Sequence, residues 1–170
     1  MVWCQVQVGV IPAEASAPVS KTTQQREIAV LSAAKSGLAS LKPNDWILIA
    51  DKAARCRFEN GDKIVRQGKT VEGLYVLLKG SASVRLSPPG GPRTIGAGDV
   101  CGEISFLDGQ PASADVVAEE EVEAYFLDRP TLETLFELFP HLGSRFYQSL
   151  ALILSRRLRD VIEHDGTRRT

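Results

Sequence analysis

The chain has 170 residues, a length for one domain that buries about 70% of its unfolded surface, so it needs no disulfide or metal to fold. Hydrophobic residues make up 44% and charged residues 24%, the balance of an ordinary soluble globular protein. Twenty basic residues against twenty-one acidic ones give a net charge of -1, which excludes a domain-wide basic surface of the kind that binds nucleic acid. Cys4, Cys56 and Cys101 are odd in number and widely spaced, unlike a disulfide framework or a zinc site. No run of about 18 apolar residues predicts a membrane helix. The N-terminus lacks the basic start of a signal peptide, so a cytoplasmic protein is expected.

Residues 1–22 carry Pro12, Pro18 and a run of small residues, and are expected to form a flexible leader. From about Thr23 to Lys35, Ile28, Ala29, Leu31 and Ala34 suit a short helix. A second helix start is expected at 40–45, where Pro43 and Asn44 favour a first turn or cap. The period then changes from helical to alternating. Cys56 and Phe58 alternate with Arg55 and Arg57; Ala82, Val84 and Leu86 follow, then Ala112 to Ala118, then Val122, Ala124 and Phe126. Turn signals at 60–62, 79–80, 88–92 and 96–99 separate these runs, which predicts a β-sandwich or barrel over about 53–128.

Helical periodicity returns after Asp128. Thr131 to Phe139 reads as one segment ended by Pro140. A longer helix over 141–163 carries Leu142, Phe146, Leu150, Ile153, Leu154, Leu158 and Val161 on one stripe, read as core first and a self-association seam second. Arg156, Arg157 and Arg159 near its end read as a solvated face that complements the helix dipole. The expected domain runs from 23 to 164, with a tail at 165–170.

Three segments recur in a known order: Phe58-x-x-Gly61-Asp62-x-Ile64-x-x-x-Gly68, Leu74-Tyr75-Val76-Leu77-Leu78-Lys79-Gly80, and Gly98-Asp99-x-x-Gly102-Glu103-Ile104-Ser105-Phe106-Leu107. This set resembles the cyclic-nucleotide-binding domain family over about residues 38–162. The resemblance implies a mainly β fold, a β-roll or double-stranded jelly roll with N-terminal helices and a long C-terminal helix. It also implies a phosphate-binding cassette at Gly102 through Ala114. In it Glu103 would accept the ribose 2′-hydroxyl, Gly102 would let the backbone approach the sugar, and Ile104 and Ser105 would open a turn whose amides face the phosphate.

The family then has Pro-Arg, a small residue, Ala and Thr or Ser, whereas this chain has Pro111-Ala112-Ser113-Ala114-Asp115. Ala112 thus replaces the arginine that pairs with the cyclic phosphate. A charge-assisted hydrogen bond contributes about 1.5–3 kcal/mol, and removing the cation from a buried anion site costs about 3–5 kcal/mol. At 1.4 kcal/mol per decade, affinity for cAMP or cGMP is expected to fall by about tenfold to several thousandfold. Ser113 and backbone amides would be the remaining phosphate contacts, and Arg93 is a candidate substitute cation. Bland readings stand beside these. Glu103 also suits a structural acid, Gly102 a required turn, and Ser113 a turn hydroxyl.

Enzyme activity has little support. His141 and His164 both lie in the C-terminal helical region, away from any cluster of metal ligands, and no Gly-Lys-Ser/Thr makes a P-loop. Only about seven residues follow Glu163, too few for a helix-turn-helix, so direct DNA binding is not expected. No cofactor or membrane partner is expected. Three functions stay open: a cyclic-nucleotide receptor with a weakened phosphate site, a degenerate roll whose helix 141–163 makes a homodimer or binds a partner protein, and a sensor of a less anionic small molecule.

Overall fold

The computed structural model describes residues 20–86 and 93–167, with side chains through residue 163. The leader up to residue 19, Cys4, the turn at 88–92, the His164 side chain and the tail from 168 lie outside the described residues. Two helices open the fold. Helix α1 (Lys21–Ala33) starts two residues before the sequence-based expectation, because the Ser20 side chain caps it by accepting from the Thr23 amide. Helix α2 (Pro43–Lys52) begins with proline in its first turn, where the missing N–H costs nothing. Ile28, Leu31, Trp46 and Ile49 from these helices are buried together.

The strands are β1 (Ala54–Phe58), β2 (Lys63–Val65), β3 (Gly73–Lys79), β4 (Ala82–Arg85), β5 (Arg93–Ile95), β6 (Val100–Cys101), β7 (Asp115–Ala118) and β8 (Val122–Asp128). They form two four-stranded sheets ordered β1-β8-β3-β6 and β2-β7-β4-β5, and all observed pairings are antiparallel. The run Leu74 to Leu77 in β3 is apolar without interruption because the strand is covered on both faces. Leu74 and Val76 join the cluster under the helices, whereas Tyr75 and Leu77 point into the roll with Phe58, Ile64, Val116 and Ala124. Gly80, at φ +83°, turns β3 into β4 where a Cβ would collide with the Glu121 carbonyl. The alternation of burial begins at Ala112, yet strand β7 starts only at Asp115. Ala112 instead pairs with a loop, its amide donating to the Lys69 carbonyl and its carbonyl accepting from Gly68, each at 2.8 Å.

Two helices close the chain. Asp128 caps α4 (Arg129–Leu138) by accepting from the Thr131 amide at 2.9 Å. Pro140 both stops α4 and opens α5 (Pro140–Thr167). The single stripe expected along α5 is split. Leu142, Phe146, Leu150 and Ile153 are buried beneath α1, α2 and the roll, whereas Leu158, Val161 and Ile162 are exposed.

Candidate functional site

The chain leaves β6 through Gly102, whose φ of +85° lies in the left-handed region and whose missing Cβ keeps clear of the Gly73 carbonyl. Helix α3 (Glu103–Asp108) follows at once, so the Gly-Glu pair stands where the strand turns into the helix. Glu103 points inward with only 2% of its side chain exposed. Ser105 is buried beside it on α3, while the Ile104 side chain turns outward. From Gly109 the chain runs to the 112–114 segment, where Ala112 and Ala114 are buried and Ser113 is exposed. Ala112 shares the roll interior with Cys101, the residue before Gly102. Gly102, Glu103 and Ser105 therefore sit together at the start of α3, and Ala112 lies in the roll core with Cys101, which precedes them in the chain.

Asp115 does not stand alone at the edge of this segment. It accepts from Lys63 Nζ at 2.7 Å and from the Gln67 amide at 2.9 Å, and the Lys63 hydrogen bond foremost holds its carboxyl below the usual range. Glu103 shows the reverse. Burial pushes its carboxyl above the usual range, opposed chiefly by the positive charge of Arg157. Burial likewise pushes the Cys101 thiol up, which keeps it un-ionised in the roll.

Arg157 is the site residue that the sequence reading misplaced. It was expected on a solvated face with Arg156 and Arg159. Instead its Nη1 pairs with Glu103 Oε1 and its Nη2 donates to the Val100 carbonyl at 2.9 Å. Arg156 and Arg159 are exposed as expected. The signal was present in the spacing. Leu142, Phe146, Leu150, Ile153 and Arg157 follow one another at intervals of three and four, so the arginine continues the buried stripe. Arg93 lies 3.9 Å from Asp160 of α5, and its positive charge also favours ionised Glu103. Among the described residues, no three His, Cys, Asp or Glu side chains group as a metal site. No described helix is long and apolar enough to cross a membrane.

Residues 55–138 match the family model of the cyclic nucleotide-binding domain. The chain is 30% identical over 130 residues to the Cyclic GMP-binding protein C of Dictyostelium discoideum, which covers 74% of this chain and 5% of that protein. Among solved structures, the catabolite activator protein of Thermus thermophilus is 31% identical, with a TM-score of 0.61 over 75% of this chain and 60% of that one. The regulatory subunit of a cAMP-independent protein kinase A from Trypanosoma brucei is 30% identical, with a TM-score of 0.56 over 74% and 47% of the two chains. The chain thus spans less than two thirds of each of these relatives. Two antiparallel sheets between helices and a buried Glu103 just after the left-handed Gly102 agree with these likenesses: through residues 55–138, the chain belongs to the cyclic nucleotide-binding domain family.

Proposed function

We propose that the chain is a non-enzymatic regulatory module that takes a cyclic nucleotide at Gly102–Ser105 and Ala112–Ala114, and that it holds cAMP and cGMP weakly. The supporting observation is that position 103 carries a buried carboxylate while position 112 carries only a methyl side chain. Ala112 is buried and faces the roll, as a side chain reaching the nucleotide phosphate would. It offers no cation. Exposed Ser113 turns its hydroxyl away from that interior, which leaves backbone amides as the phosphate donors. The relatives support a divergent ligand preference, since one is named for cyclic GMP and another for a kinase that is cAMP-independent. A less anionic ligand is the weaker reading, because Lys63 already balances the charge of Asp115.

Calorimetric titration with cAMP and cGMP tests this. Dissociation constants above about 10 μM are expected, and Ala112→Arg is expected to tighten binding by about ten- to a thousandfold. Tighter binding by the unmodified chain would overturn the weak-site reading. No gain in the variant would overturn the placement of the phosphate.

A second reading is carried by α5. Leu158, Val161 and Ile162 are 61%, 60% and 61% exposed, at the three- and four-residue spacing of a helix seam. Such a seam suits self-association or a partner helix, and nucleotide at the roll would act by moving it.

A further inference from the structure

Helix α5 carries a group of arginines, outside the roll, that the proposed nucleotide site does not use. Arg156 and Arg159 stand on adjacent turns of one exposed helix face and line a cleft of 260 Å³. Strand β5 adds Arg93 to the same cleft, and the loop after α1 adds Ser36. Arg157, between the two in sequence, turns away to Glu103 and is not part of it. Three guanidiniums thus converge from two elements far apart in the chain. Like charges brought together in this way repel one another. The carboxylates of Asp160 and Glu163 also line the cleft and offset part of that repulsion, three positive charges against two negative ones. They leave the arginine donors largely uncommitted. Asp160 approaches Arg93 only to 3.9 Å, about 1 Å beyond a charge-assisted hydrogen bond. Arg156 uses Nη1 on the Lys35 carbonyl. Arg159 forms no hydrogen bond or ion pair with another described residue.

We propose that this cleft is an anion site that takes a single phosphoryl group, as carried by a small phosphorylated molecule. A phosphoryl group carries a charge of about −1.5 to −2 at neutral pH and presents three acceptor oxygens. Guanidinium forks match those oxygens in geometry, and Ser36 adds a hydroxyl donor. Charge also sets an upper limit on the ligand. A chain of phosphates would extend toward Asp160 and Glu163, which favours one phosphoryl group over several. The cleft is smaller than the roughly 300–1,000 Å³ typical of pockets that enclose a whole ligand, and suits a phosphoryl group on a short stem. It shares no residue with Gly102–Ser105 or Ala112–Ala114, so it stands apart from the cyclic-nucleotide reading.

Titration of the full chain with inorganic phosphate at about 0.15 M ionic strength, followed by NMR of the arginine Nε–H signals, tests the site. Signals of Arg93, Arg156 and Arg159 should shift together and saturate, with a dissociation constant of about 1 mM. Arg93→Ala and Arg159→Ala should each weaken binding by about tenfold or more. Arg26→Ala removes an equal charge from an exposed position of α1 outside the cleft, and should change affinity by less than about twofold. Acetate at matched ionic strength, with two oxygens instead of three, should not saturate over the same range. Absence of saturation by phosphate up to about 20 mM would overturn the site, as would unchanged affinity in Arg159→Ala. An equal loss in Arg26→Ala would overturn it too, because overall charge and not the cleft would then hold the anion. Equal affinity for acetate would overturn the phosphoryl assignment.

Discussion

Asp45 and Glu103 are both buried carboxylates facing an arginine of α5, and they titrate in opposite directions. Asp45 accepts from the Lys42 amide at 2.8 Å and from Nε and Nη2 of Arg145 at 2.7 and 2.6 Å. That fork foremost holds its carboxyl below 3.8, its ordinary value. A depressed folded pKa gives stability that is present above the unfolded value and is lost as pH falls through the folded one. Asp45→Asn should therefore lower the melting temperature near neutral pH, with the deficit shrinking as melts are run below about pH 4. A deficit of constant size down to about pH 2 would show that packing, and not charge, is what Asp45 contributes. Glu103 has the opposite sign. Its raised pKa means that its contribution is full below the unfolded value, 4.5, and is lost as pH rises through the folded one.

At the scale of elements, α5 is two helices in function. Its first half is core: Leu142, Phe146, Leu150 and Ile153 close the cluster beneath α1 and α2, and Ser149 receives the Ser40 amide at 2.9 Å. Its second half is surface with one arginine turned inward. The two halves predict different costs for the same substitution. Leu150→Ala should lose about 2–5 kcal/mol in urea unfolding, because it removes buried methyl groups and leaves a cavity. Leu158→Ala should stay within about 0.5 kcal/mol of the unmodified chain. Similar losses at both would mean that the second half is packed in solution. Strand β3 shows the same principle in the sheet. Its unbroken apolar run cannot be assigned a face from sequence, and only the cover on both sides explains it.

At the scale of the molecule, the exposed seam of α5 has a direct readout. Light scattering should give a dimer mass at high protein concentration, and Leu158→Asp with Val161→Asp should return the monomer mass. Both residues are exposed, so the pair tests association without breaking the core. Leu150, on the same expected stripe, is unsuitable because it is fully buried. A monomer mass for the unmodified chain would leave the seam to a different partner and overturn self-association.

The plan of helices, roll and helices was legible in the sequence, because burial on one face imposes period 2 on strands and 3.6 on helices. Gly102 was legible too, since a left-handed turn into α3 calls for glycine, whereas Glu103 was marked by the family resemblance. That Ala112 stands where the family has an arginine is what the resemblance implies, and it enters the proposed function as such. Which α5 residues are core, where β7 begins, and what faces Glu103 were decided only by the tertiary structure. Arg157 and Glu103 are 54 residues apart, and helical spacing places the arginine on a buried stripe without saying what it meets there. A charge on such a stripe requires a partner. The fold supplied it at Glu103, the carboxylate to which the family resemblance would give the ligand.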